Sequence, residues 1–387
     1  MHQPFRFTHR TDIVFGSGRI ENIADELDRL EIRKPLIVTD SGLMRAGVTD
    51  PLISNLERAE REFHVFDGVV PNPRIGTVED GVQVLTAQEC NGVIGIGGGS
   101  SMDTSKAIAG LATNGGNIEE YEGIEQFHKA ALPIITVPTT IGTGSEVTSA
   151  AVITHPARTE KLGILDNYLI PDSTILDPDL LRSLPPQLAA STGMDCLTQS
   201  IMAFLSTDAN PITDILTKAA VEKVFKNLPA AVAKKDQDAL IEMQLATTIE
   251  GIGFMNAGLG LVHAMSHPVS ARYDTPHGVT NGVILPAVLD YNRIARESKY
   301  AELAVAIGIP DNRRTQRELS VAFIKQVKSL AASLGIPPGL AALGVDEEDI
   351  PELADAVVSR KDTQRNKSTN PRVSTRDDIE EIYKAAM

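Results

Sequence analysis

The stretch from Val93 to Lys106 constrains the fold more than any other part of the chain. The apolar run Val93-Ile94-Gly95-Ile96 reads as a buried strand and passes straight into Gly97-Gly98-Gly99-Ser100; Ser101-Met102-Asp103-Thr104-Ser105-Lys106 then opens a helix. Glycines accept positive φ and let the backbone approach an anion closely, while the free amides of a first helical turn point at it. The segment therefore reads as a phosphate-binding turn, with an ordinary tight turn as the competing reading. It matches neither G-x-G-x-x-G nor a P-loop, whose Lys follows the last glycine directly. A second loop weighs towards a nucleotide. Pro138-Thr139-Thr140-Ile141-Gly142-Thr143-Gly144-Ser145 follows another apolar strand, Ile134-Ile135-Thr136-Val137, and two such loops at strand ends form a nucleotide crevice.

The segments around these loops alternate in the manner of a parallel sheet wrapped by helices. Strands are expected at 36–40, 63–66 and 93–96, with helices over about 42–61 and 76–88 and a break at Pro71-Asn72-Pro73. From about Pro185 the β-branched runs thin out and helical spacing takes over, through 219–232, 238–252, 300–307 and 317–334. The expected organisation is an α/β, doubly wound, Rossmann-like N-terminal domain over 1–182 and an all-α C-terminal domain over 183–387.

Composition narrows the function classes. Asp and Glu outnumber Lys and Arg by 51 to 36, a net charge of −15, which repels a phosphate backbone and argues against nucleic acid as a partner. No stretch reaches the roughly 18 apolar residues of a membrane span, and the N-terminal residues lack the apolar core of a signal peptide. A cytoplasmic protein with no membrane partner is expected. Two cysteines, Cys90 and Cys196, are too few for a disulfide framework or a Cys-rich metal site.

Chemistry-bearing residues gather in both halves. Asp40 closes an early strand, where a carboxylate bonds a ribose hydroxyl and repels the 2′-phosphate of NADP, so NAD is the expected cofactor; the competing reading is a turn Asp before Ser41-Gly42. In the second half His263 and His267 stand four apart, on one helical face, and His277 follows beyond a turn. Asp195 and Gln199 are also four apart. A His and carboxylate set without Cys suits Fe²⁺, Zn²⁺ or Mn²⁺ with a position left for substrate. For each of these residues taken singly, a packed helical side chain is the competing reading.

Together the motifs resemble the iron-containing (group III) alcohol dehydrogenases. The likeness runs through Ile13-Val14-Phe15-Gly16-Ser17-Gly18, the GGGSxxDxxK segment from Gly97 to Lys106, Pro138-Thr139-Thr140 with Gly142 to Glu146, Asp177-Pro178, both histidine motifs, and Thr369-Asn370-Pro371-Arg372. The resemblance implies a dehydroquinate synthase-like architecture with the active site in the cleft between its domains, and a homodimer or larger homo-oligomer. It places NAD contacts at Asp40, Asn72, Gly98, Gly99, Ser100, Thr139, Thr140, Thr148, Lys161 and Leu180. It places a divalent metal, Fe²⁺ first, on Asp195, Gln199, His263 and His277, and gives His267 the relay of the alcohol proton. The reaction implied is metal-assisted hydride transfer between a small alcohol and its aldehyde or ketone. The helices after residue 185 are expected to wall the substrate pocket, with Phe254 and nearby Gly and Ala residues as candidates. Gln199 departs from the family's D-x-x-x-H pattern, and an amide oxygen is a weaker, harder donor than imidazole. Two other readings stay open: a metal-independent reductase of the maleylacetate reductase type, and a non-redox lyase of the dehydroquinate synthase type.

Overall fold

The computed structural model describes residues 4–158 and 160–387. The chain divides into a unit of residues 9–184 and a unit of residues 185–387 joined by the segment ending at Thr8, whose backbone exchanges hydrogen bonds with the Asn256 side chain.

The first unit contains β1 (Asp12–Phe15), α1 (Ile23–Arg29), β2 (Pro35–Val38), α2 (Ser41–Arg45), α3 (Asp50–Arg58), β3 (His64–Phe66), α4 (Ile75–Ala87), β4 (Gly92–Gly97) and α5 (Gly99–Asn114). After these come β5 (Gly123–Ile124), β6 (Ile134–Pro138), β7 (Ala150–His155), β8 (Glu160–Leu165) and β9 (Ser173–Leu176). Six strands form a wholly parallel sheet in the order β1-β9-β6-β4-β2-β3. Side chains alternate across a strand, and here both faces are apolar. Ile37, Ile94, Ile96, Ile135, Val137 and Ile175 meet Ile23, Leu27, Leu52 and Leu56 of α1 and α3. Leu36, Val38, Val93 and Ile134 meet Val78, Leu85, Ile108 and Leu111 of α4 and α5 on the other side. Helices on both faces of a parallel sheet make this unit doubly wound, as the sequence implies.

The expected helix over 42–61 is two helices. Gly47 takes φ +69° between α2 and α3, a left-handed conformation that breaks the helical path at little cost for glycine. The hairpin β7–β8, with β5 beside β8, is an addition to the sequence-based expectation.

The second unit is helical throughout: α6 (Pro186–Leu205), α7 (Pro211–Lys234), α8 (Gln237–Ala257), α9 (Gly260–Tyr273), α10 (His277–Asn292), α11 (Glu297–Ala306), α12 (Gln316–Ser333), α13 (Ile350–Ser359), α14 (Lys361–Ser368) and α15 (Arg376–Ala385). Among the described residues no single helix is long and apolar enough to cross a membrane.

Candidate active site

In the first unit, the neighbouring strands β6, β4 and β2 end at Pro138, Gly97 and Val38, so the loops bearing Thr139, Gly98 and Asp40 leave the same edge of the sheet side by side. Ligands of open parallel sheets bind at this carboxyl edge. The glycines of this segment sit in close packing. A Cβ on Gly95 would lie 2.3 Å from Ser105 Oγ, so only glycine lets α5 pack this closely on β4. Cβ atoms on Gly98 and Gly99 would meet Thr140 Cγ2 at 3.1 Å and Thr143 Cγ2 at 2.9 Å. The two loops thus face each other across a gap that side chains would fill. Gly98 is the N-cap of α5 and makes no side-chain cap bond, leaving the first-turn amides beside Ser100 for an anion. This cradle fits a dinucleotide pyrophosphate.

A buried charge pair fixes the second loop to α5. Lys106 Nζ donates to Ser145 Oγ (2.7 Å), Thr148 Oγ1 (3.3 Å) and the Ala150 carbonyl (2.9 Å). Asp103 accepts from Ser145 Oγ at 2.6 Å and from the Val152 amide at 3.0 Å. Burial pushes the Lys106 ammonium down to about 8, against the pull of Asp103 and Glu146, and raises Asp103 above the usual carboxylate range.

The remaining expected nucleotide contacts are placed as follows. Asn72, at φ +53°, accepts a 2.6 Å bond from Lys161 Nζ, so these two residues, 89 apart in sequence, form one polar pair. Thr139 and Thr140 are buried at the end of β6. Leu180 lies in the apolar core with Ile94 and Ile96. Asp40 is the N-cap of α2, accepting from the Gly42 and Leu43 amides at 2.8 and 3.0 Å, both through Oδ1. The turn-Asp reading therefore holds for one oxygen of this carboxylate.

In the second unit three helices converge. Asp195 on α6, His263 on α9 and His277 at the start of α10 each offer a donor atom within 4.8 Å of the others. Asp195 Oδ1 is 3.7 Å from His263 Nε2 and 3.9 Å from His277 Nε2. Gln199, one turn after Asp195, donates from Nε2 to Asp195 Oδ2 at 3.2 Å; its Oε1 is buried with no hydrogen-bond partner among the described residues. Burial alone would raise the Asp195 carboxyl, but His277, His263 and Asn281 outweigh it and hold Asp195 below its ordinary value. Burial lowers His263 and favours neutral imidazole. A charged carboxylate, a neutral imidazole and an orphaned amide oxygen, without sulfur, form a donor set that fits a divalent cation. The His267 ring lies 5.5 Å from that of His277 and 6.5 Å from that of His263, beside the donors rather than among them.

Close helix contact sets this geometry. A Cβ on Gly278 would fall 2.2 Å from the Ser191 carbonyl oxygen, so glycine is what lets α10 touch α6 one turn before Asp195. The Thr369-Asn370-Pro371-Arg372 motif clamps α9 to α10. Thr369 Oγ1 and Asn370 Oδ1 accept from the Gly260 and Leu261 amides that begin α9. Asn370 also pairs reciprocally with Asn292 at 2.8 Å, and the Arg372 guanidinium stacks 3.9 Å from the Tyr291 ring. Phe254 is buried with Ala203 and Ala257.

The chain matches the family described as iron-containing alcohol dehydrogenase over residues 10–178 and that family's C-terminal region over residues 189–387. It belongs to the iron-containing alcohol dehydrogenases. The chain is 38% identical over 374 residues to lactaldehyde reductase of Escherichia coli K12, covering 96% of this chain and 97% of that protein. It is 37% identical over 375 residues to the NAD-dependent methanol dehydrogenase of Bacillus methanolicus, covering 97% of each. The crystal structure of a 1,3-propanediol oxidoreductase superposes with a TM-score of 0.96 at 36% identity, covering all of both chains. This member of the family is thus an alcohol and aldehyde oxidoreductase, built as a parallel-sheet unit followed by a helical one.

Two features of this dehydrogenase go beyond the sequence reading. The Lys106–Asp103 pair stands inside the glycine-rich segment, where its i, i+3 spacing was legible but its burial was not. Asn281 stands four residues after His277, on the same face of α10, and its amide nitrogen contacts Asp195, His263 and His277.

Proposed function

We propose that this dehydrogenase interconverts a small alcohol and its aldehyde or ketone with NAD(H), using a divalent cation, Fe²⁺ first and Zn²⁺ or Mn²⁺ as alternatives. The observation that carries the proposal is the convergence of Asp195, His263 and His277 from three helices, with the unpartnered Gln199 oxygen beside them. When bound there, the cation supplies Lewis acidity, polarising a carbonyl oxygen or acidifying an alcohol, and the nicotinamide accepts or returns the hydride.

The chain's own groups have the following roles. Asp195, Gln199, His263 and His277 hold the cation. Gly98, Gly99 and Ser100 face the pyrophosphate with backbone amides, while Thr139, Thr140 and Thr148 line the opposing loop. Asn72, Lys161 and Leu180 complete the nucleotide contacts, and Asp40 Oδ2 meets the ribose and disfavours NADP. His267 takes up and returns the alcohol proton. The relatives' names, lactaldehyde, 1,3-propanediol and methanol, support a small substrate. A cytoplasmic homodimer or larger assembly is part of the same proposal, following the family likeness, and the net charge of −15 argues against a nucleic-acid partner.

A screen of small alcohols and aldehydes with NAD(H), repeated after chelation and after adding Fe²⁺, Zn²⁺ or Mn²⁺, tests the proposal. NADH-linked turnover that is lost on chelation and restored by one of these ions is expected. Undiminished turnover after complete metal removal would establish the maleylacetate reductase type of reaction instead, and no net change in NADH with any substrate would point to the lyase.

A further inference from the structure

The Asn281 side chain lies against every charged or imidazole donor of the proposed centre. Its Nδ2 is 2.7 Å from Asp195 Oδ1, 3.1 Å from His277 Nε2 and 3.2 Å from His263 Nε2, the three residues that converge within 4.8 Å. Its other amide atom, Oδ1, is buried and has no hydrogen-bond partner among the described residues, and Asn281 itself is fully buried on α10. Two facts of amide chemistry bear on this arrangement. A primary amide nitrogen donates two hydrogens and has no lone pair to give a cation, whereas the oxygen one bond away is a hard donor suited to divalent ions. A buried carbonyl oxygen without a partner is also costly, so its position needs a reason.

A divalent cation held by these donors has bonds of about 2.0 to 2.2 Å to each. The amide nitrogen is nearly equidistant from the same three atoms, so it caps the triangle that the cation must enter. A cation and an NH₂ group cannot share that place, because both are positive ends seeking the same lone pairs. Rotation of the carboxamide about its terminal torsion exchanges nitrogen for oxygen with almost no change in shape. Resting on the metal-centre reading above, we propose that Asn281 is a two-state element of that centre. Without a cation its NH₂ group stands over Asp195, His263 and His277 and shares its two hydrogens among them; with one bound, the carboxamide turns and Oδ1 becomes a further oxygen ligand. That ligand compensates for Gln199, whose amide stands where the family pattern has an imidazole. The resulting centre is richer in oxygen, which shifts its preference towards harder ions.

The test uses the full chain, stripped with a chelator and titrated with Co²⁺, whose visible absorption reports the ligands around it. Asn281→Leu removes both functions at similar volume. It should weaken Co²⁺ binding by about 10- to 100-fold, alter the absorption band, and lower the melting temperature of the stripped protein. Asn281→Asp should separate the two states. Facing Asp195, the new carboxylate should lower the melting temperature of the stripped protein, yet as an anionic ligand it should bind Co²⁺ at least as tightly as the parent and show a larger thermal gain on binding. The proposal is overturned if both variants keep the parent's Co²⁺ affinity and band, whatever happens to their melting temperatures. His263→Ala serves as the reference. If it abolishes Co²⁺ binding while the Asn281 variants do not disturb it, only the role of Asn281 fails. If His263→Ala binds Co²⁺ like the parent, the centre itself has been misread, and the role of Asn281 fails with it.

Discussion

Replacing Gly278 by alanine puts the helix packing behind the metal centre to a quantitative test. The added methyl would sit 2.2 Å from the Ser191 carbonyl oxygen and 2.8 Å from the Ser191 carbonyl carbon. Carbon and oxygen atoms in contact stay about 3.3 Å or more apart, and the obstacle is backbone, so α10 and α6 must separate by about 1 Å. Asp195 lies one turn beyond Ser191 on α6, and His277 precedes Gly278 on α10. Their donor atoms are now 3.9 Å apart, and the separation would take them to about 4.9 Å. Two donors on one cation, each bonded at about 2.1 Å, span at most about 4.2 Å. The variant should therefore lose metal affinity by about 100-fold, as well as the roughly 1 to 3 kcal/mol usual for overpacking. Gly193→Ala on the same helix is the control. Its methyl would meet Leu228 Cδ1, also at 2.2 Å, but that is the tip of a side chain able to change rotamer. It should cost stability and leave metal affinity intact. Competition against a calibrated chelator, alongside thermal melting, reads both quantities. Equal metal affinities for Gly278→Ala and the parent, or equal losses in the two alanine variants, would refute the claim that this helix contact sets the donor spacing.

Gln199→His supplies an imidazole where the amide stands and should tighten Zn²⁺ or Fe²⁺ binding by about tenfold or more; an unchanged dissociation constant would remove Gln199 from the ligand set. His267→Ala should lower turnover by about a hundredfold or more while the metal content stays that of the parent, and loss of metal would make His267 a ligand instead. Lys106 gives a stability signature at alkaline pH. Below about pH 8 both folded and unfolded chains carry its proton, whereas between about 8 and 10.5 only the unfolded chain does. Stability should accordingly rise with pH across that window by up to about 3 kcal/mol relative to Lys106→Met; parallel pH profiles for the two proteins in denaturant titrations would contradict it.

Much of this was legible in the sequence because it depends on local chemistry. The glycine-rich turn declared itself by standing between an apolar run and a helix, and His263 and His277 by their clustering with His267 and by the Asp195 and Gln199 side chains four residues apart. What remained hidden depends on tertiary contacts. The break at Gly47 looked like a tolerable glycine within a helical pattern, and only its left-handed φ ends α2. The start of α7 lay upstream of the apolar periodicity, at the Asn210 cap and Pro211. The hairpin β7–β8 is built from small and mixed residues, and the alternation of burial along β7 has little echo in polarity. Asp40 carries both a cap and a candidate ribose contact, and spacing alone could not divide its two oxygens. Asn281 shares a helical face with His277, yet asparagine is so often a plain helix-surface residue that its encounter with three donors is visible only in space.

The clamp at Thr369 and Asn370 has a bearing on when the centre can be loaded. The donors at 195, 263 and 277 are far apart along the chain, and the first amides of the helix bearing His263 find acceptors on Thr369 and Asn370. During synthesis, residues up to about 370 must emerge before the donors can be gathered at their final spacing, since loop closure over such distances is entropically costly until packing supports it. Uptake of the proposed cation would thus follow assembly of the helical unit, and scarcity of that ion during synthesis would leave a folded enzyme able to be filled afterwards.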